Sequence, residues 1–212
     1  RLMFGDGHGT LTDVTTTTGV GDGGWGWGAC AADFDLDGDE DLFHVNGYEA
    51  RPYSDLTSFG IADLSRLFLN ERGVFSESAA MLGLDDAAHL TSAVCADFDG
   101  DGDVDIATQA VDGALRSYEN TLFTARRFIA IDLVGSDRNR AAVGARVVVS
   151  AGDTSQVRER IIANTHTSGQ SKRLHFGVGS ADRADIVVRW PDGSRSEHRR
   201  LLTNRRHVLR QP

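Results

Sequence analysis

Two segments carry the densest chemistry in this sequence, Asp33-Phe34-Asp35-Leu36-Asp37-Gly38-Asp39-Glu40-Asp41 and Asp97-Phe98-Asp99-Gly100-Asp101-Gly102-Asp103-Val104-Asp105. Each sets carboxylates at positions 1, 3, 5 and 9, with a glycine at position 6 where the chain must bend for those oxygens to converge. Converging carboxylates repel one another unless a cation lies among them. Calcium accepts ~6–8 oxygen ligands at ~2.3–2.6 Å in irregular geometry, so it suits an all-oxygen set better than magnesium or a nitrogen- or sulfur-seeking metal. The spacing predicts two calcium sites. One uses Asp33, Asp35, Asp37 and Asp41, the other Asp97, Asp99, Asp101 and Asp105, with Asp39 and Asp103 ligating through their backbone carbonyls. An EF-hand opens the same way, but it needs helical flanks and a glutamate at position 12, where His44 and Thr108 stand. The flanks Ala29-Cys30-Ala31-Ala32 and Leu42-Phe43 are β-type, so the loops belong on strand connections. Solvated acidic turns are the competing reading; two copies in one phase weigh against it.

Other reactive residues carry weaker signals. Gly23-Gly24-Trp25-Gly26-Trp27-Gly28 leads into the first loop, and the second copy has Leu90-Thr91-Ser92 instead. Trp25, Trp27 and Asn46 form a candidate surface for a glycan, with packing between repeats as the alternative use of the indoles. No pair among the seven histidines makes a metal motif, and His175 beside Phe176 reads as a satisfied core residue. His166-Thr167-Ser168 has no glycine elbow or oxyanion signature around it, so no catalytic constellation is expected. Cys30 and Cys95 give no zinc spacing; the repeat places them at adjacent, opposite-facing strand positions, which predicts buried apolar thiols rather than a disulfide.

The elements that must hold these residues are short strands. The chain of 212 residues and 22.9 kDa is 40% apolar, enough for a sizeable core, and 24 glycines against 3 prolines favour tight turns between strands over long helices. No window is apolar and long enough for a membrane-spanning helix. Sliding the sequence by 64 residues aligns Gly9 with Gly73, Gly19 with Gly83, Asp33 with Asp97 and Asp41 with Asp105 without a gap. Copies at 2–65 and 66–124 each read as four short strands, the pattern of one β-propeller blade. Residues 126–210 change character, with strands at Phe128 to Val134, Ala145 to Val149, Arg158 to Ala163, Arg173 to Phe176, Ala184 to Trp190 and Arg195 to Leu201. Val147, Val149, Ile186, Val188 and Trp190 share one face, and Trp190-Pro191-Asp192-Gly193 should close a hairpin. The expectation is all-β: two propeller blades over 1–124, then a small antiparallel β-sandwich or barrel over 126–210.

Charge divides the chain at the same place. Residues 1–124 hold 23 acidic and 5 basic side chains, and residues 125–212 hold 8 and 17, within a net charge of −9. A boundary near 122–127 follows, with the basic part docked on the acidic one. The arginines lie along strands without a nucleic-acid-binding motif, so nucleic acid is not expected as a partner.

Phe4-Gly5-Asp6-Gly7-His8-Gly9-Thr10-Leu11-Thr12-Asp13-Val14, Gly24-Trp25-Gly26-Trp27-Gly28-Ala29, the run Asp33 to Leu42 and Val45-Asn46-Gly47-Tyr48 resemble the FG-GAP/VCBS repeats of the cartilage-acidic-protein family. Asn139, Gly144-Ala145-Arg146-Val147, Gln170, Leu174-His175-Phe176-Gly177-Val178-Gly179 and Trp190-Pro191-Asp192-Gly193 resemble that family's C-terminal ASPIC/UnbV domain. The resemblance implies a secreted or periplasmic calcium-loop propeller, similar in blade architecture to the integrin α-subunit head. Gly169 departs from the serine usual before that glutamine, Thr15 to Thr18 replace a more acidic run, and two repeats fall short of the ~4–8 blades of a closed ring. Calcium at extracellular levels fits modules that bind it at ~10⁻⁴–10⁻³ M. The expected function is a non-enzymatic calcium-binding adhesion or interaction module for a protein or glycan. The alternative is a fragment of a propeller cyclase or isomerase whose active site lies in upstream blades. Arg1-Leu2-Met3 is not the start of a signal peptide, so the chain is expected to begin inside a longer or processed protein.

Overall fold

The computed structural model describes residues 1–47, 63–122, 125–162 and 169–212. Tyr48, part of the 122–127 boundary and His166-Thr167-Ser168 lie outside them. Within the N-terminal part run β1 (Met3–Gly5), β2 (Leu11–Asp13), α1 (Thr15–Thr18), β3 (Gly26–Ala32) and β4 (Asp41–Asn46). Then follow β5 (Arg66–Glu71), β6 (Val74–Glu77), α2 (Ala79–Leu82), β7 (Leu90–Ala96), β8 (Asp105–Ala110) and β9 (Leu115–Tyr118). β3 and β4 recur as β7 and β8 with identical lengths, 64 residues on. The single-turn helices α1 and α2 stand where the sequence pattern suggested loops. Each stops at a left-handed glycine, Gly19 at φ 92° and Gly83 at φ 73°, whose N–H returns to the first helical carbonyl.

Sheets and sequence copies do not coincide. β4 pairs with β5 through Leu42↔Phe68 and Phe43↔Leu67, so the four-stranded sheet β3-β4-β5-β6 takes two strands from each copy. β7-β8-β9 forms a second sheet. β1 and β2 pair only with each other among the described strands, which leaves Met3 and Phe4 44% and 65% exposed. Their repeat equivalents Leu67 and Phe68, covered by β4 and the neighbouring sheet, are buried.

The two larger sheets share one core, in which Cys30, Phe34, Phe43, Val45 and Leu67 meet Leu90, Ala93, Cys95, Val104 and Ile106. Backbone approaches backbone closely: a Cβ on Gly28 would stand 2.7 Å from the Ala93 nitrogen. Cys30 and Cys95 are joined as a disulfide with their Cα atoms 6.2 Å apart, against the expectation of unpaired thiols. Opposite-facing positions diverge only within one sheet. When one copy's sheet lies over the other, the face turned to its neighbour is reversed between the copies, so such positions meet.

The C-terminal part comprises β10 (Arg127–Val134), β11 (Arg146–Ala151), β12 (Thr154–Glu159), β13 (Leu174–Gly179), β14 (Arg183–Arg189), β15 (Arg195–Leu202) and β16 (Arg205–Arg210). A three-stranded sheet β13-β10-β16 faces a four-stranded sheet β12-β11-β14-β15. Alternating residues fill the space between them: Ile129, Ile131 and Leu133 from β10, Val147 and Val149 from β11, Ile186 and Val188 from β14, with Phe176 and Trp190. The Trp190-Pro191-Asp192-Gly193 turn closes the β14–β15 hairpin as its sequence predicts, with Gly193 at φ 89° and its N–H on the Trp190 carbonyl. Of the sandwich or barrel expected, no closed barrel forms among the described strands. Two expectations need correction. The β10–β16 pair is parallel, because β16 returns beside β10 after the β15 edge rather than by a hairpin. The strand expected at Arg158 to Ala163, whose last residue lies outside the described ones, is displaced to β12, since its hairpin partner β11 ends at Ala151 and a Gly152-Asp153 turn sets the register Ala151↔Thr154.

Candidate metal centre

Both aspartate loops are hairpin connections in one register. The first joins β3 to β4 from the pair Ala32↔Asp41, and the second joins β7 to β8 from Ala96↔Asp105. Gly38 at φ 101° and Gly102 at φ 107° make the bend that a side-chain-bearing residue would resist. Side-chain oxygens then turn inward onto backbone N–H groups. Asp33 accepts from Asp37 and Gly38 at 3.0 and 2.8 Å, Asp35 from Asp37 at 3.2 Å, and Asp37 from Asp39 at 2.8 Å. In the second loop Asp97 accepts from Gly100 at 2.6 Å, Asp99 from Asp101 and Asp101 from Asp103 at 3.1 Å each.

Of the ten aspartates named from the sequence, the structure gathers six. Ligand oxygens of Asp33, Asp35 and Asp37 lie within 4.8 Å of one another, as do those of Asp97, Asp99 and Asp101. Asp41 and Asp105 stand outside these groups. Each spends both oxygens on backbone N–H groups, Asp41 on Phe34 and Asn70 at 2.8 Å, Asp105 on Phe98 and Asn120 at 2.9 Å. They tie the loop's start to the next strand or turn. Asp39 accepts from the Arg72 N–H at 2.7 Å, while Asp103 Oδ1 is buried without a hydrogen-bond partner.

Four of these carboxyls, Asp33, Asp37, Asp41 and Asp103, are uncomfortable as anions. Burial, reinforced by the charges of Asp37 and Asp35, pushes Asp33 up to about 7; burial with the nearby Asp33 and Asp35 does the same to Asp41. Asp103 also rises to about 7, from burial and then the Asp101 charge, and burial raises Asp37. A hard divalent cation would relieve all of this. The donor chemistry fits one: every gathered atom is a carboxylate oxygen, and Asp103 Oδ1 is an orphan acceptor within the second loop.

The C-terminal sheets cover both loops, in keeping with the charge division in the sequence. At the first loop, the Arg126 guanidinium lies 2.7 Å from Asp35 Oδ2 and donates to its carbonyl at 3.1 Å, and Arg158 pairs with Glu40 at 2.9 Å. The Gly179 N–H donates to the Leu36 carbonyl at 3.2 Å. At the second, His175 Nε2 donates to the Gly102 carbonyl at 3.0 Å, and its ring stacks on Phe128 5.4 Å away. Burial lowers the His175 pKa, which keeps the ring neutral. Arg173 stands 3.7 Å from Asp97. A cavity of about 380 Å³ remains between the parts, lined by Asp33, Asp97, Arg158, Arg160, Arg173 and His175. Residue-level sequence reading missed these covering contacts; the opposite net charges were the only signal for them.

Trp25 is 60% exposed and Trp27 39%, the latter donating Nε1–H to the Gly47 carbonyl at 2.9 Å. Asn46 does not join them as a surface group. It is fully buried, and its amide donates to the Gly23 and Leu64 carbonyls at 2.8 Å while its Oδ1 meets His44 at 2.9 Å. A strand-end asparagine with three chain segments around it serves as a clamp, which its sequence position beside the exposed indoles did not reveal.

None of the curated proteins matches the chain. Residues 135–212, which begin within the loop after β10 and run through β16, match the family described as ASPIC and UnbV. This segment is an ASPIC/UnbV domain.

Proposed function

We propose that the chain is a calcium-binding interaction module in which two propeller-type blades carry one cation each and the ASPIC/UnbV domain packs over them. The supporting observation is the pair of aspartate hairpins in identical register, each converging three carboxylates whose ligand oxygens lie within 4.8 Å of one another. Its ligands are Asp33, Asp35 and Asp37, and Asp97, Asp99 and Asp101, with the outer Asp41 and Asp105 fixing each loop. The Cys30–Cys95 disulfide supports an oxidising compartment, secreted or periplasmic. Binding rather than catalysis is the work proposed, toward a protein or a glycan; the exposed Trp25 supplies an aromatic face of the kind that stacks on sugars.

Calcium at ~10–20 times its dissociation constant should stabilise the fold by roughly 1–2 kcal/mol per site. The pH dependence in chelator is a sharper sign. Asp33, Asp41 and Asp103 hold protons in the folded chain up to about 7, whereas unfolded aspartates release them near ~3.9. Between those values the folded state binds more protons, so stability falls as pH rises from about 4 to 7. Saturating calcium should flatten that slope. Thermal melts with calcium or chelator across this range, paired with calorimetric titration, test the reading. Unchanged melting together with no calcium heat would remove it.

A further inference from the structure

The ASPIC/UnbV domain touches the aspartate loops at points where the loop backbone is already committed to its bend. Gly177 on β13 faces the first loop so closely that a Cβ there would overlap Asp33 Oδ2 and stand 2.6 Å from the Leu36 Cα. Two residues on, the Gly179 N–H holds the Leu36 carbonyl. At the second loop His175 holds the carbonyl of Gly102, and Gly102 itself has no room for a Cβ beneath the Phe128 ring. Between the loops Gln170 spans the disulfide-linked strands: its Oε1 accepts the Cys95 N–H at 3.0 Å and its Nε2 donates to the Ala29 carbonyl at 3.4 Å. One domain therefore grips both loops and the strand pair that carries them.

We infer that docking of the ASPIC/UnbV domain and cation occupancy of the two loops are a single linked equilibrium, so that the domain works as a calcium-controlled clamp. The inference rests on the calcium reading above. Loops shaped by the clamp present converged oxygens to the cation, and a cation that fixes the loops restores the carbonyls of Leu36 and Gly102 to the positions the domain binds. Linkage is reciprocal: the factor by which docking strengthens calcium binding equals the factor by which calcium strengthens docking. Chelation would then loosen the domain and open the cavity between Asp33, Asp97, Arg158 and Arg173 to solvent.

Gly177→Ala tests this with the loop sequence intact, because the nearest atoms a Cβ there would meet belong to Asp33 and Leu36 across the joint. Gln170→Ala is the second variant, chosen because it removes two hydrogen bonds from a side chain outside both cores. Calcium is titrated by calorimetry into the full chain and each variant, and hydrogen exchange of the Gly179 and Cys95 amides is followed with calcium and with chelator. Expected are a roughly tenfold weakening of at least one calcium step in each folded variant, and faster exchange at both amides in the parent under chelation. If the parent binds calcium and a folded variant binds it equally well, the linkage is wrong while the calcium reading stands. If the parent binds no calcium, the calcium reading itself fails and the clamp with it. Should Gly177→Ala not fold, Gln170→Ala decides alone.

Discussion

The two aspartate loops are near twins in sequence and hydrogen bonding, yet their surroundings differ sharply. Both tie position 2 to position 9 through a backbone N–H, and both tie position 9 onward to an asparagine N–H, Asn70 or Asn120. Their phenylalanines diverge: Phe34 is 4% exposed and Phe98 54%. Phe34 lies under the β7-β8-β9 sheet, where Asn120 also donates to its carbonyl at 2.8 Å. Phe98 has no described sheet on its outer side. Loop conformation is thus set within each hairpin, while burial is set by whichever sheet stacks next. Asp33, inside the stack, is 2% exposed, and Asp99 and Asp101 face solvent.

The largest effect should come from Phe34→Ala. A fully packed aromatic between two sheets costs roughly 3–5 kcal/mol when truncated, since the cavity cannot collapse against backbones already in contact at Gly28. Urea unfolding in chelator, which isolates packing from metal binding, measures it. A loss below about 1 kcal/mol would mean that the sheets are not stacked over the first loop.

The position-9 aspartates give an intermediate test. Asp41→Ala strands the Phe34 and Asn70 N–H groups inside the structure, at about 1–3 kcal/mol for each donor that water cannot reach, so roughly 2–6 kcal/mol overall. Asp105→Ala strands Phe98 and Asn120 instead; Phe98 is solvent-facing, and the loss should be about half as great. Equal losses in chelator would show that the two hairpins depend on position 9 identically and that the neighbouring sheet adds nothing.

Much of this contrast lay beyond what one sequence shows. Spacing alone located both loops, because carboxylates two residues apart and a glycine at position 6 are local requirements. The repeat offset and the Val147, Val149, Ile186 and Val188 face were also legible, since each rests on strand periodicity. The disulfide was misread for a physical reason: strand alternation assigns faces within a sheet and carries no information on which sheet lies above. The parallel β10–β16 pair, the buried clamp of Asn46 and the grip of Gly177 on Asp33 all arise between elements distant in sequence, where no local pattern reports them. The short helices α1 and α2 escaped because four residues are too few to establish a 3.6-residue period.

The smallest effect is expected at Phe98. As the repeat equivalent of Phe34 it has the same hairpin, the same backbone bond to position 9 and the same aromatic side chain, so any intrinsic role in shaping the loop would appear at both. With more than half its surface in water it has little burial to lose, and Phe98→Ala should change stability by no more than about 0.5 kcal/mol. The same measurement at several protein concentrations adds a second reading. An exposed aromatic is a surface that self-association would cover. If Phe98→Ala costs several kcal/mol and the cost grows with concentration, a second copy is burying that face, and the asymmetry between the loops belongs to the single chain alone.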